Sequence, residues 1–286
     1  CNKEIKANSD IGGPGVMASF LIMSWLTVFL AFSPALHEAQ NTSEQHITNT
    51  EPGIVQKIEA LFGPLCDLQA VSGVAIMIAG FAQWHTITFY HEQLVMYYWW
   101  LTLNSFWVAR IHYMNLDSTG EPWLLRVRRF SVLFSCILAI IWQIRIFYRE
   151  SNYWNDIDGP CYRFLDGTSV WPWVGGLILF SVAIAALSVV IYWFLLQWLA
   201  TWSYGDGFIP FTWFIYVGLN VWYTLDVVSL WAWNKPLISA EEQGWGFGQV
   251  LPLVLILSIG INALDIFRGE RLEHLTRTAE VDETGN

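Results

Sequence analysis

The stretch Cys66–Phe81, CDLQAVSGVAIMIAGF, is apolar enough to cross a lipid bilayer, yet it opens with a carboxylate and, two residues later, a carboxamide. A helix rises about 1.5 Å per residue, so about 20 apolar residues span the roughly 30 Å of bilayer hydrocarbon. Extended to 65–84, the stretch meets that length. It predicts a membrane-spanning helix in which Asp67 lies within one turn of the boundary, where a carboxylate reaches headgroup water or caps the helix.

Six further apolar runs of similar length accompany this one. The seven candidate spans lie at 13–35, 65–84, 92–114, 126–148, 173–199, 207–233 and 246–267. The run at 92–114 is the least apolar, because it carries Glu92 and Arg110. The sequence therefore predicts an all-α, polytopic integral membrane bundle of about seven transmembrane helices. We expect one domain over 1–270, a charged cytoplasmic tail at 271–286 and a short amphipathic helix at 53–62.

The composition agrees with a membrane protein and argues against a nucleic-acid partner. Of the 286 residues, 55% are hydrophobic and 13% are charged, whereas about 25% are charged in soluble domains. Phosphate binding needs a basic surface, but the net charge is -10 and the 14 Lys and Arg are scattered. Membrane lipids and a homo-oligomer are the expected partners. The sequence implies no cofactor and no metal, since the pair His91-Glu92 lacks the second His of a zinc helix.

The distribution of basic residues favours an N-terminus outside and a C-terminus in the cytoplasm. With this orientation, eight Lys and Arg flank the inner ends of the spans and six flank the outer ends. The sequon Asn41-Thr42-Ser43 favours the opposite orientation, because glycosylation takes place on the outer side. The plasma membrane is the expected location, with the vacuolar and endoplasmic-reticulum membranes as alternatives.

The four cysteines separate by depth in the membrane. Cys66 and Cys136 lie within spans and are expected to be small packing residues. Cys1 and Cys161 fall on the outer, oxidising side, where they are expected to form a disulfide. Two free thiols are the alternative.

Polar residues at membrane depth are the candidate functional residues, because each is costly to place in hydrocarbon. They are Asp67, Gln69, Tyr90, His91, Gln93, Asn104, Asn220, Asp226, Gln249, Asn262 and Asp265. With the N-terminus outside, they form an inner layer (Asp67, Asn262, Asp265) and an outer layer (His91, Gln93, Asp226, Gln249), with Asn104 and Asn220 near the midplane. Each also has a structural interpretation, since helix bundles use such side chains for interhelical hydrogen bonds.

The third predicted span carries a stripe of polar and aromatic residues. Gln93, Tyr97, Trp100, Asn104 and Trp107 recur at spacings of 4, 3, 4 and 3, which places them on one helical face. We expect this face to look inward, either to bond neighbouring helices or to line a path for a ligand or water.

Three sequence blocks, in their order, resemble a large group of polytopic membrane proteins of filamentous fungi. They are a D-x-Q-x-V-x-G-x-A-I block at 67–76, a Y-H-x-x-x-V block at 90–95 and a W-x-F-G-Q-[IV] block at 245–250. The beginning of the chain, with Asp10, Gly13 and Gly15, is also similar to this family. The resemblance implies a seven-span fungal membrane protein of a functionally uncharacterised family. It implies no catalytic residue, but it favours the polar residues Asp67, Gln69, Tyr90, His91 and Gln249 over the others.

Three classes of function fit these observations. A channel or transport-type conduit, expected to be oligomeric, is favoured, since the polar residues of several spans would line its path. A seven-span receptor-like or scaffolding protein would need larger inner loops than the roughly six residues at 201–206. An integral-membrane enzyme acting on a lipid-soluble substrate, with Asp67 or Asp226 as its acid, would need paired acids in one pocket. Since the predicted acids lie in opposite leaflets, an enzyme is not favoured.

Overall fold

Long helices make up nearly all of the regular structure in the described part of the chain. The computed structural model describes residues 4–41, 54–116, 122–153, 208–245 and 248–264. These contain α1 (Ser9–Gly12), α2 (Pro14–Asn41), α3 (Ile54–Ala82), α4 (Phe89–Leu116), α5 (Pro122–Tyr153), α6 (Phe208–Asn234) and α7 (248–264). Two short 3-10 helices, Lys235–Leu237 and Ala240–Gln243, lie between α6 and α7. The all-α prediction is confirmed for these residues.

Within the described residues, five segments are long and apolar enough to cross a membrane. They are Ser9–Phe32, Ala60–Ala82, Arg129–Asn152, Trp213–Leu237 and Ala240–Leu264. This is the make-up of a polytopic membrane protein. The predicted third span forms α4, a helix of 28 residues that does not reach the hydropathy of these five. The predicted span at 173–199 lies outside the described residues, so the count of seven stays a prediction.

The beginning of the chain, residues 4–15, marks one end of the bundle, which we call the proximal end. Ile5 pairs with Ile238 in an isolated β-bridge, and its N–H donates to the carbonyl of Leu237 at 2.7 Å. Asn8 donates through its side-chain amide to Gln83, just after α3. The turn after α6 and the loop at 83–88 therefore both lie at the proximal end.

The opposite end of the bundle, the distal end, receives the beginning of α6. There Trp213 donates its indole N–H to the carbonyl of Val28, in the second half of α2, at 3.0 Å. α5, by contrast, finishes at the proximal end, where Arg149 donates to the carbonyl of Ile87 at 3.4 Å. α5 thus ends and α6 begins at opposite ends. The sequence-based expectation of one span between them, at 173–199, agrees with this change of side.

α4 lies at the centre of the described bundle and contacts α2, α3, α5 and α6. Glycines of α3 allow the close approach on one side. A Cβ at Gly73 would lie 3.0 Å from Thr102 Oγ1, and a Cβ at Gly80 would lie 3.1 Å from the ring of Trp142 on α5. The outward faces of the surrounding helices carry large exposed apolar side chains, as lipid-facing surfaces do, among them Phe29, Phe130, Phe214 and Leu257.

Two sequence-based expectations are wrong in detail. The segment at 53–62 is not a separate amphipathic helix, because α3 continues without a break from Ile54 through Pro64 to the end of the span. A proline is tolerated inside a membrane helix where neighbouring groups satisfy the freed backbone carbonyl. The polar and aromatic stripe of α4 is the least buried side of that helix rather than its inward face: Gln93, Tyr97, Trp100 and Trp107 are half-buried, and only its member Asn104 is fully buried.

An apolar cluster fills the distal half of the interior. We call it the distal plug, and its buried members are Val28, Ala31, Phe62, Cys66, Phe106, Val108 and Ala109. Cys66 is buried and Cys136 is half-buried on α5, and neither forms a disulfide with another described residue, so both pack among apolar neighbours as expected. Cys1 and Cys161, for which a disulfide is expected, lie outside the described residues.

Candidate functional site

A hydroxyl, an imidazole and a carboxylate form a hydrogen-bonded series at the proximal end of the bundle. Thr88 precedes α4, and its Oγ1 accepts the backbone N–H of His91 at 3.5 Å, the usual arrangement of a helix N-cap. The same oxygen lies 2.6 Å from Nδ1 of His91. The other ring nitrogen, Nε2, lies 3.0 Å from Oε2 of Glu242, in the turn between α6 and α7. His91 is fully buried and Glu242 nearly so, whereas Thr88 is half-buried.

The beginning of the chain covers this series. The backbone N–H of Asn8 donates to Glu242 Oε2 at 3.4 Å, while Gly12 packs against the buried pair. A Cβ at Gly12 would overlap the Glu242 carboxylate and would lie 2.9 Å from His91 Nε2. Glycine is therefore required here for steric reasons, because any larger residue would displace the imidazole or the carboxylate.

Gln249 joins the beginning of the chain, residues 4–15, to α7 by hydrogen bonds. Its side-chain oxygen accepts the backbone N–H of Gly15 at 3.1 Å, and its side-chain nitrogen donates to the carbonyl of Gly244. Gly13 and Gly248 also lie in tight contacts, against Gln249 and the Asp10 carboxylate respectively. The start of the chain, the Y-H block and the W-x-F-G-Q block, which are distant in sequence, therefore meet at the proximal end.

Two tyrosines extend this group of polar residues into the bundle. Tyr90 and Tyr98 are fully buried on α4, and neither hydroxyl has a hydrogen-bond partner among the described residues. Oε1 of the Glu242 carboxylate likewise has no partner among these residues. We call this set the proximal layer: Tyr90, His91, Tyr98, Glu242 and Gln249.

Glu92 follows His91 in sequence but points to a different neighbour. Its Oε1 accepts hydrogen bonds from both Arg145 and Arg149 of α5. The guanidinium of Arg145 also lies 4.4 Å and 4.7 Å from the ring centroids of Trp84 and Trp142, which are cation–π distances. The cluster ties α5 to α4 and the α3–α4 loop, and we assign it a structural role.

A second group of buried polar side chains, the central layer, lies near the middle of the helices. Its members are Ser24, Thr27, Gln69, Asn104 and Asn220. Asn220 Oδ1 accepts hydrogen bonds from Ser24 and, at 3.2 Å, from the side-chain amide of Asn104. Gln69 donates to Thr27 at 2.5 Å. Three atoms of the layer have no hydrogen-bond partner in the described part of the chain: Asn104 Oδ1, Asn220 Nδ2 and Gln69 Oε1.

The remaining candidates from the sequence are less buried. Asp67, Gln93 and Asp226 are half-buried, and Asn262 is exposed on α7. Asp265 lies outside the described residues. The inner layer expected from Asp67, Asn262 and Asp265 therefore stays a prediction.

Several residues of the site carry no signal that sequence reasoning could have used. Glu242 lies in the polar stretch SAEEQG at 239–244, which is typical of a solvated loop. Ser24, Thr27 and Thr88 are small hydroxyl residues of a kind that is common in membrane helices and at helix caps. Their partners are far away in the chain, so neither composition nor spacing indicates the contacts.

No known protein family, curated protein or solved structure gives a significant match to this chain. The chemistry of the site therefore rests on its geometry. In the described residues the two layers offer hydrogen-bond donors and acceptors, one imidazole–carboxylate pair and no group of three His, Cys, Asp or Glu that would suit a metal ion.

Proposed function

We propose that the protein is a gated membrane conduit whose path runs through the helix bundle of a single chain. The observation that supports it is a series of buried polar atoms, some in the proximal layer and some in the central layer, that have no hydrogen-bond partner among the described residues. These atoms are Glu242 Oε1, the hydroxyls of Tyr90 and Tyr98, Asn104 Oδ1, Asn220 Nδ2 and Gln69 Oε1. Buried polar groups nearly always have a hydrogen-bond partner, so water or a passing polar solute is the natural partner along this line.

The length of the series fits part of a transmembrane path. Tyr90 and Asn104 lie on the same helix, and at about 1.5 Å per residue they are separated by about 21 Å along its axis. That is about two thirds of the roughly 30 Å of bilayer hydrocarbon. The polar series therefore reaches from the proximal boundary past the middle of the membrane.

The distal plug closes the rest of the path. Its buried members are apolar, and its aromatic residues Phe62 and Phe106 fill the interior beyond the central layer. Hydrophobic constrictions of this kind exclude water and ions until the helices move apart. The proximal layer lies beside a large apolar cluster that includes Phe20, Met77 and Trp142, so in this proposal the polar path is narrow and the distal plug is its gate.

Among the described residues, no arrangement favours the other two classes of function over a conduit. The acids considered for an enzyme, Asp67 and Asp226, are both half-buried and lie on different helices. The proposed path lies within one chain, so the homo-oligomer expected from the sequence is not required for it. The oligomer, the plasma membrane and the outside N-terminus stay predictions.

Flux through reconstituted vesicles tests the proposal. We expect Phe106→Ala to loosen the distal gate and to raise the flux of protons, potassium or small polar solutes above that of the wild type. Asn220→Leu, added to Phe106→Ala, should lower that flux again, because it replaces a polar member of the path with an apolar side chain. Exposed Phe130→Ala on α5 is the matched control and should leave the flux unchanged. Absence of flux for every tested species in the Phe106→Ala protein would overturn the proposal.

A further inference from the structure

We infer that the species carried is the proton, and that Thr88, His91 and Glu242 form the relay through which it is taken up at the proximal end. This inference rests on the proposed conduit and names its substrate. Each of the three side chains can bind a hydrogen on one side and release one on the other. The spacings of 2.6 Å and 3.0 Å are hydrogen-bonding distances, so the series is continuous.

The position of the relay gives it access to water at one end only. Thr88 is half-buried and belongs to the loop at 83–88, in which His85 and Thr86 are exposed. His91 and Glu242 are buried, with Gly12 packed directly against them. A proton can therefore reach the Thr88 hydroxyl from the aqueous side, whereas a hydrated ion cannot reach His91.

The coordination chemistry argues against a metal cation. The proximal layer supplies one carboxylate, one carboxamide, two phenol hydroxyls and one imidazole, whereas a dehydrated Ca²⁺ takes 6–8 oxygen ligands. The free carboxylate oxygen, Glu242 Oε1, lies against the backbone of Gly12, which leaves no room there for an ion with its ligands. A proton needs no such space, since it moves along existing hydrogen bonds.

The transfer step balances as follows, from the state in which Nε2 of His91 carries the hydrogen. An incoming proton forms a new O–H bond on Thr88, while the original hydroxyl hydrogen passes to Nδ1 of His91. The N–H bond at Nε2 breaks, and its hydrogen forms an O–H bond on Oε2 of Glu242. The net result is one proton moved from water to Glu242, with His91 left as the tautomer that carries its hydrogen on Nδ1.

The groups that face His91 from each neighbouring element fit this role. Thr88 faces it from the loop, Glu242 from the turn after α6, and the ring of Tyr90 from its own helix, at a centroid distance of 4.9 Å. From α1 it meets the backbone of Gly12, which carries no charge. Beyond Glu242, the hydroxyls of Tyr90 and Tyr98 have no partner among the described residues, so they are free to bond to water that would continue the relay.

Proton uptake by vesicles containing a pH-sensitive dye tests the relay. The protein is the full chain carrying Phe106→Ala, and potassium flux is recorded in the same preparation. In His91→Gln the side-chain amide still donates a hydrogen bond to Glu242. An amide cannot accept a proton at one nitrogen and release it from another, so proton flux should fall to that of empty vesicles. Thr88→Val should have the same effect, and Thr88→Ser should rescue the flux that Thr88→Val loses.

A matched control separates the relay from general damage to α4. Ser105 is fully buried on the same helix, and its hydroxyl donates to the carbonyl of Leu101 at 2.6 Å, outside the path. Ser105→Ala should keep the proton flux of its parent.

Proton flux in His91→Gln or Thr88→Val equal to that of the parent would overturn the relay. If His91→Gln fails to fold, the comparison of Thr88→Val with Thr88→Ser decides the question. Potassium flux without proton flux would overturn the relay and leave the conduit standing, whereas no flux of either species would remove both.

Discussion

At the scale of single residues, the proximal layer depends on side chains that meet across very long sequence separations. His91 and Glu242 are 151 positions apart, and Gly15 and Gln249 are 234 positions apart. The sequence indicates His91 and Gln249, because a polar residue in or beside an apolar run is costly and therefore conspicuous. It does not indicate Glu242, because an acid in a polar loop is ordinary. Local pattern thus identifies one member of each pair and leaves the other undetected.

Gly12 provides a residue-scale prediction. Gly12→Ala should destabilise the protein, because the added methyl group would overlap the Glu242 carboxylate and overpacking typically costs about 1–3 kcal/mol. The measurement is thermal unfolding of the purified protein in detergent. Gly218→Ala on α6 is the control: no atom lies within 4 Å of its Cβ position, so its unfolding temperature should stay the same or rise slightly. Equal unfolding temperatures for Gly12→Ala and the wild type would contradict the packing described here.

At the scale of the elements, α4 is a helix whose inward face is not identified by the periodicity of its polar residues. Its stripe of polar and aromatic residues has regular helical spacing. In an amphipathic helix, such a stripe marks one of the two faces. α4 instead packs against four helices, so nearly all its surface is buried and the stripe marks only its least buried side. The lower hydropathy of this helix has the same cause, because a helix shielded by other helices does not need a lipid-compatible surface.

The pair Asn104 and Asn220 provides an element-scale prediction, because it joins α4 to α6 at 3.2 Å. In a double-mutant cycle of Asn104→Ala and Asn220→Ala, we expect a coupling free energy of about 0.6 kcal/mol and no more than about 1.7 kcal/mol, as for other interhelical hydrogen bonds in membranes. The measurement is the free energy of unfolding in detergent. Asn104→Ala combined with Thr224→Ala is the comparison, because Thr224 is bonded to Trp25 instead and should show no coupling to Asn104. Equal coupling in the two cycles would show that the amide pair does not link the helices.

At the scale of the whole molecule, hydropathy identifies most of the architecture, since the membrane requires long apolar helices whatever their partners. Five of the predicted spans are long apolar helices in the structure. The predicted third span, α4, is also a long helix, but its hydropathy is lower. The order in which these helices pack does not follow from hydropathy. It is set by contacts such as those of Gly80 with Trp142 and Trp213 with Val28, which join residues far apart in the chain.

The alternation of helix directions predicts which residues share a side of the membrane. His85 and Gln243 are exposed at the proximal end, and Arg126 is exposed near the beginning of α5, at the distal end. In a chain whose four native cysteines are replaced by serine, we expect cysteines at 85 and 243 to react with a membrane-impermeant maleimide from the same side. A cysteine at 126 should react from the opposite side. With the N-terminus outside, the first two are labelled in intact cells, and labelling of all three from one side would disprove the alternation.

The attachment of residues 4–15 to the turn after α6 also has a consequence for biosynthesis. A chain emerges from the ribosome N-terminus first, so Asn8 and Gly12 are made long before their partner Glu242. Until Glu242 has been translated, the first helices can enter the membrane, but residues 4–15 lack the partner with which they form the hydrogen bonds of the proximal end. The proximal layer is therefore completed only after residue 242 has been translated, and a product terminated before that point would contain α1 to α6 without the carboxylate that their proximal ends enclose.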